Sequence, residues 1–292
     1  MPIGRLAVLG AGLIAGSAAL ALRRAGAVRH VVGFGRNRDH LEDALRLGIV
    51  DEATTDLSRA VAGADVIILA TPVGAMGAIA ESLAKLDLGD AILTDVGSTK
   101  ASVIRAVTDA YEGRCPARFV PGHPIAGDER SGPAAARANL FESRLVVLTP
   151  SDETDPKAVE RIRWMWAQTG ARVECIDAER HDRLLAATSH LPHVLAFTLV
   201  DSLARGADAE AVFRYAAGGF RDFTRIASSD PSMWRDIAVA NRVALLNALT
   251  VFREDLDAMI DAVARSDGAW LDERFGEARR ARDAAMKLVE PE

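Results

Sequence analysis

The 292-residue chain has no excess of positive charge: 35 Lys and Arg stand against 41 Asp and Glu, a formal net charge of -6, and no basic run stands out. A nucleic-acid surface is therefore not expected. Cysteine is scarce as well. Cys115 and Cys175 lie far apart with no C-x-x-C pair, which suits a reducing cytoplasm with both thiols as buried bystanders. Long apolar runs are missing beyond the first 22 residues, and that stretch is broken by Gly10, Gly12 and Gly16 after a start with little positive charge. Neither a signal peptide nor a membrane anchor is expected. No internal repeat and no low-complexity tract is present.

With 49% hydrophobic and 26% charged residues, the composition is that of a globular protein with a substantial core, long enough for one large domain or two ordinary ones. Short apolar runs at 5–10, 30–35, 65–71, 91–97, 118–122, 144–149 and 171–177 read as strands, mostly without polar alternation. Strands covered on both faces have that pattern. Helical stretches fill the gaps at 12–25, 38–47, 74–85, 100–110 and 156–169. The rhythm predicts an α/β fold: a Rossmann-like, doubly wound domain over 1–177. After Asp177 no convincing strand follows. Residues 179–205 and 231–265 read as long helices, and in the second Leu249, Phe252, Leu256, Met259 and Val263 recur at three- and four-residue spacing. An all-helical domain over 178–292 that forms a homodimer is expected.

The segment "VLGAGLIAGSAALALRRAG" (8–26) is a strand, a glycine turn and a helix in succession. Gly10 permits the tight turn, Gly12 lets a pyrophosphate approach the backbone, and Ala15 occupies the third fingerprint position. Leu13 and Ile14 open the helix that would carry the phosphates. The second strand ends "GFGRNRD", with Gly35 where an NAD-binding acid would sit and Arg36 next. A missing carboxylate beside a guanidinium predicts NADP, with NAD as the alternative.

Of six histidines, His30 and His40 flank the second strand as ordinary surface residues. His123 lies in "PGHPIAGDERSG" (121–132), just past a strand end, where open α/β sheets bind ligands. His190 and His193, three apart, share a helix face. No H-E-x-x-H or cysteine partner accompanies them, so no metal is expected. His181, nine residues before His190, falls on the opposite face of a straight helix and receives no role. Arg221 and Arg225 stand one turn apart in "GGFRDFTRIA" (218–227). Arginine grips carboxylates in a bidentate manner, although Asp222 and Asp236 are available as ordinary partners.

Taken in order, "GLIAGS" (12–17), "ATPV" (70–73), "DVGSTK" (95–100), "GHPIAGDERSG" (122–132), "TSHLPH" (188–193) and "GGFRDFTRIA" resemble the prephenate/arogenate (cyclohexadienyl) dehydrogenase family of tyrosine biosynthesis through nearly the whole chain. The resemblance implies a Rossmann-like domain followed by a helical dimerisation domain, and NAD(P)-dependent oxidative decarboxylation of prephenate or arogenate. It makes His123 the catalytic histidine and Ser98 its companion at the substrate hydroxyl. Glu129, His190 and His193 would line the pocket, and Arg225 would hold a substrate carboxylate. Thr71 and Pro72 of "ATPV" join Gly10, Gly12, Leu13, Ile14, Gly35 and Arg36 on the cofactor side. The chain ends near the close of the helical part, so tyrosine inhibition, if present, is expected to act at or near the active site. A β-hydroxyacid dehydrogenase or imine reductase would need a differently placed catalytic lysine, for which Lys100 is the nearby candidate. A non-catalytic NADP-binding sensor would not require His123, Ser98 and Arg225 together.

Overall fold

Strand β1 (Ile3–Leu9) shows why the amino-terminal run is apolar throughout. Leu6 and Val8 enter one buried cluster while Ala7 and Leu9 enter another, because successive strand side chains point to opposite faces of the sheet. The computed structural model describes residues 1–127 and 130–289, the side chains of 288 and 289 excepted. After β1 come α1 (Leu13–Arg24), β2 (Val28–Phe34), α2 (Arg38–Arg46), β3 (Glu52–Thr54), α3 (Leu57–Val61), β4 (Val66–Leu69), α4 (Val73–Leu83), β5 (Ile92–Asp95), α5 (Ala101–Ala110) and β6 (Phe119–Val120).

The six strands form one parallel sheet in the order β3-β2-β1-β4-β5-β6. The chain winds outward from β1 to β3 and then returns to the other side of β1. That reversal opens a crevice at the carboxyl ends of β1 and β4, where doubly wound sheets bind nucleotides. Strand β3 was not among the expected strands: three half-buried residues leave no periodic signal.

The single strand expected at 118–122 is two. Pro121 cannot donate to a ladder, and the chain leaves the large sheet there. β7 (Gly122–Pro124) pairs antiparallel with β8 (Leu145–Leu148), which pairs parallel with β9 (Arg172–Cys175); α6 (Pro156–Ala167) lies between them in sequence. His123 therefore sits inside a strand, opposite Val147, and not in a loop beyond a strand end. Cys115 is half-buried, and Cys175 is exposed rather than buried, with Arg163 Nη2 donating to its sulfur at 3.0 Å.

Helices follow: α7 (Ala178–Leu185), a π-helical turn (Ala186–His190), α8 (Leu191–Ala204), α9 (Ala209–Arg214), α10 (Gly218–Thr224), a 3-10 turn (Arg225–Ser228), α11 (Pro231–Ala240), α12 (Arg242–Ala264) and α13 (Gly268–Val289). The continuous helix Ala178–Ala204 is long and apolar enough to cross a membrane by length and composition. Its first turns, however, are tied to α5 through Asp182. By contact, the chain divides into compact units Met1–Leu245 and Leu246–Glu292. Within the first unit, α11 packs on α4 so closely that a Cβ on Gly74 would lie 2.5 Å from Asp236 Oδ2. In the second unit, Leu256, Ile260 and Val263 present exposed apolar side chains from α12.

Candidate active site

At the carboxyl end of β1, Gly10 adopts φ +106°, and a Cβ there would lie 2.7 Å from the Ala70 carbonyl oxygen. Only glycine fits. Gly12 caps α1 without a side-chain hydrogen bond, and a Cβ added to it would meet nothing within 4 Å. Leu13 and Ile14 begin the helix, whose first turn holds no acidic residue. Thr71 adds a buried hydroxyl that lacks a hydrogen-bond partner, one residue before Pro72 caps α4. Open space at a helix N-terminus and an orphaned hydroxyl fit a dinucleotide phosphate and its nicotinamide half. Gly35 follows β2 with no carboxylate, and Arg36 is exposed beside it.

The surroundings of His123 are built on a buried lysine. Lys100 is wholly buried, and its Nζ donates to Asp95 at the end of β5 and to the Gly122 carbonyl at 2.7 Å. Asp95 Oδ1 in turn accepts from the Gly122 N–H at 3.1 Å. The lysine and aspartate thus clamp β7, the strand holding His123, to the end of the large sheet. With its ammonium committed to two acceptors, Lys100 is no catalytic lysine of the β-hydroxyacid type. No sequence spacing signals this role, because Asp95, Lys100 and Gly122 meet only in the fold.

His181 and Asp182 were also missed, and they complete the arrangement. Helix α5 has no side-chain cap of its own. Asp182 supplies it from α7, accepting from the backbone N–H of Lys100 at 2.7 Å and of Ala101 at 2.9 Å. Burial alone pushes the Asp182 carboxyl up, but the hydrogen bonds from His181 and these two amides outweigh it and hold the group below its ordinary value. His181 Nδ1 lies 2.8 Å from Asp182 Oδ1, and His181 Nε2 lies 2.9 Å from His123 Nδ1. A carboxylate only accepts, so His181 carries its proton on Nδ1. With both rings neutral, His181 Nε2 accepts from His123 Nδ1–H, and the lone pair of His123 is left on Nε2. This tautomer follows from the hydrogen-bond pattern. Burial, then the neighbouring His181, Lys100 and His190, hold His123 well below the ordinary histidine pKa. His123 is a buried neutral base with one defined basic atom.

The helix geometry explains why His181 escaped notice. Nine residues at roughly 100° each place His181 and His190 on opposite faces of an α-helix. The π turn at Ala186–His190 intervenes, and it winds more residues per turn. Pro192 sits just beyond it, lacks an N–H for the Thr188 carbonyl and would crowd that oxygen in a regular helix. The wider turn returns His190 toward the Asp182 end, where Asn241 Nδ2 reaches His190 Nδ1 at 3.0 Å and the Asp182 carbonyl at 2.8 Å. Burial lowers His190 to about 4. His193 stacks on Trp234 with ring centroids 3.5 Å apart and donates from Nδ1 to the Ser189 carbonyl at 2.8 Å. Its pKa is lowered first by burial and also by the nearby Arg225 charge.

Arg225 therefore lies close to His193, at the start of the 3-10 turn. Asp236, weighed from sequence as a partner for the arginines, pairs with Arg235 at 2.7 Å. Ser98 is half-buried in the β5–α5 loop, two residues before Lys100. Glu129 and its neighbour Asp128 lie outside the described residues. Among the described residues, no group of three or more His, Cys, Asp or Glu could hold a metal ion.

Comparison with known proteins agrees with this architecture. Residues 18–175 match the family model for the prephenate dehydrogenase nucleotide-binding domain, and residues 177–277 match that for the prephenate dehydrogenase dimerization domain. Cyclohexadienyl dehydrogenase of Zymomonas mobilis is 39% identical over 95% of this chain and 94% of its own. Prephenate dehydrogenase of Bacillus subtilis is 36% identical over 94% of this chain and 74% of its own. The crystal structure of Aquifex aeolicus prephenate dehydrogenase with hydroxyphenyl propionate and NAD+ superimposes with a TM-score of 0.90 at 36% identity, covering 98% of both chains. On these matches, with a Rossmann-like nucleotide-binding part followed by a helical part, the chain belongs to the prephenate dehydrogenase family.

Proposed function

We propose that the protein is a prephenate dehydrogenase that converts prephenate to 4-hydroxyphenylpyruvate and carbon dioxide, with NADP as its preferred cofactor. The observation that carries this reading is the Asp182–His181–His123 chain, which leaves a neutral, buried His123 with its lone pair on Nε2. Prephenate has a ring hydroxyl, a ring carboxylate and a pyruvyl side chain. When bound, the nicotinamide accepts the hydride from the hydroxyl-bearing ring carbon.

His123 Nε2 takes the hydroxyl proton as that carbon becomes a carbonyl. The new positive charge on His123 is shared through its Nδ1–H with His181, whose own Nδ1–H is held by the Asp182 carboxylate. The carbonyl then draws the electron pair of the ring carboxylate bond through the two double bonds. Carbon dioxide leaves, the ring becomes aromatic as a phenolate, and the proton held on His123 Nε2 returns to that oxygen to give the phenol. Ser98 orients the hydroxyl, and Arg225 with His193 receives a substrate carboxylate. Gly10, Gly12, Leu13, Ile14, Thr71 and Pro72 cradle the cofactor, while Gly35 and Arg36 admit a 2′-phosphate. A second copy of the chain covers the apolar face of α12, making a cytoplasmic homodimer.

Activity on arogenate is the second reading, favoured by the similarity to a cyclohexadienyl dehydrogenase. Assaying the purified protein with prephenate or L-arogenate, each with NADP or NAD, tests both assignments. Turnover with neither acid overturns the reading.

A further inference from the structure

His190 Nε2 is buried and has no hydrogen-bond partner, and the same is true of Trp234 Nε1 in the ring packed edge-on against it. An indole nitrogen can only donate. What His190 Nε2 does depends on where its proton sits, and Asn241 decides that. Asn241 lies between α11 and α12, with its backbone held by Ile237 and Leu245. One face of its amide meets the Asp182 carbonyl at 2.8 Å. A backbone carbonyl only accepts, so that end of the amide is the NH2 group and the O/N orientation is fixed. The same NH2 group lies 3.0 Å from His190 Nδ1. A donor on that side obliges Nδ1 to accept, and the proton goes to Nε2.

We infer that Asn241 is a positioning residue that holds His190 as a neutral Nε2–H donor, so that His190 and Trp234 together present two buried N–H groups to an acceptor oxygen of the bound acid. The surroundings make this control necessary. Asp182 favours protonation of His190 through its charge, while His181 and His193 oppose it, and His123 is weakened as a base by any charge on His190. A second proton on His190 would have to sit on Nδ1, against the Asn241 NH2 group. Two facing donors repel, so the amide excludes the imidazolium and both neutral and charged forms with Nδ1–H. The inference rests on the prephenate dehydrogenase reading for the ligand alone; the tautomer is a property of the free protein.

The test is ¹⁵N NMR of the full-length protein labelled in histidine, with His190 identified by loss of its signals in His190→Gln. A pyridine-type Nδ1 and a pyrrole-type Nε2 in the unmodified protein are expected, and the reverse assignment overturns the inference even if neither Asn241 variant folds. In Asn241→Asp the amide donor becomes an acceptor, and a proton should appear on His190 Nδ1; an unchanged spectrum also overturns it. In Asn241→Leu, KM for prephenate should rise roughly tenfold, the size of one hydrogen bond to a charged oxygen, with kcat little changed. A fall in kcat at constant KM would instead place Asn241 on the His181 arm. Absence of turnover in the unmodified protein would sink the functional reading and leave the NMR result standing on its own.

Discussion

His123 Nδ1 and His181 Nε2 lie 2.9 Å apart, with their rings nearly perpendicular at 68°. One imidazole thus holds the other by an edge, and the only free nitrogen of the pair is His123 Nε2. Substituting His123 by Asn keeps a polar group in β7 and removes the base. The kcat should fall roughly 10²- to 10⁴-fold with a much smaller change in KM. Steady-state kinetics check this, and near-normal turnover would remove His123 from its role.

Asp182→Asn tests the far end of the chain. The substitution leaves one acceptor for the α5 amides and loses the charge that fixes the His181 proton. Unfolding by denaturant should show a loss of roughly 1–3 kcal/mol, accompanied by a lower kcat. Loss of stability with unchanged kcat would make Asp182 a helix cap and nothing more.

The pH dependence of stability has a defined sign. His123 and His190 are both depressed from the ordinary histidine value of 6.5, His190 to about 4. Unfolding therefore releases groups that bind protons more readily than the native protein does. Stability should be at its plateau above 6.5 and decline as the pH falls from 6.5 toward 4, with each group contributing a slope of up to roughly 1.4 kcal/mol per pH unit. Denaturation midpoints across that range provide the measurement. The acid limb of kcat/KM should likewise lie below 6.5, because His123 stays neutral there.

Arg36→Ala should lower kcat/KM with NADP by roughly 10- to 100-fold, the value of a hydrogen bond to a charged group, and leave the value with NAD nearly unchanged. Tighter use of NAD by the unmodified protein, unaffected by the substitution, contradicts the proposed cofactor preference.

Light scattering at micromolar concentration should return the mass of two chains. Ile260→Asp, in the exposed apolar row with Leu256 and Val263, should shift the mass toward one chain. A monomeric mass for the unmodified protein would show that this row serves something else.

The cofactor half was legible because its determinants are local. Gly10 and Gly12 state a turn and a helix start within a few residues, and alternate faces of β1 are both apolar. His123 was legible for a similar reason, as a reactive side chain in a glycine- and proline-rich segment. What supports it was not. Lys100, Asp95 and Gly122 are ordinary in sequence and become a clamp only when β5, α5 and β7 meet. His181 was hidden by a change of helical pitch, for which Pro192 is the local cause; residue spacing assumes constant pitch. Asn241 belongs to none of the recognised blocks, and its amide acquires meaning only from the carbonyl on one side and the imidazole on the other. The exposure of Cys175 was equally unreadable, since an edge strand and an interior one can share the pattern "RVEC".

The break at Pro121 mounts the base and the nucleotide crevice on different sheets. Their separation is then set by a short mechanical linkage, Asp95 to Lys100 to the Gly122 carbonyl, and not by the twist of either sheet. Cofactor preference can drift along β2 and its following loop without moving the proton acceptor, whereas a change of one methylene in the linkage would shift the distance across which hydride and proton must leave together.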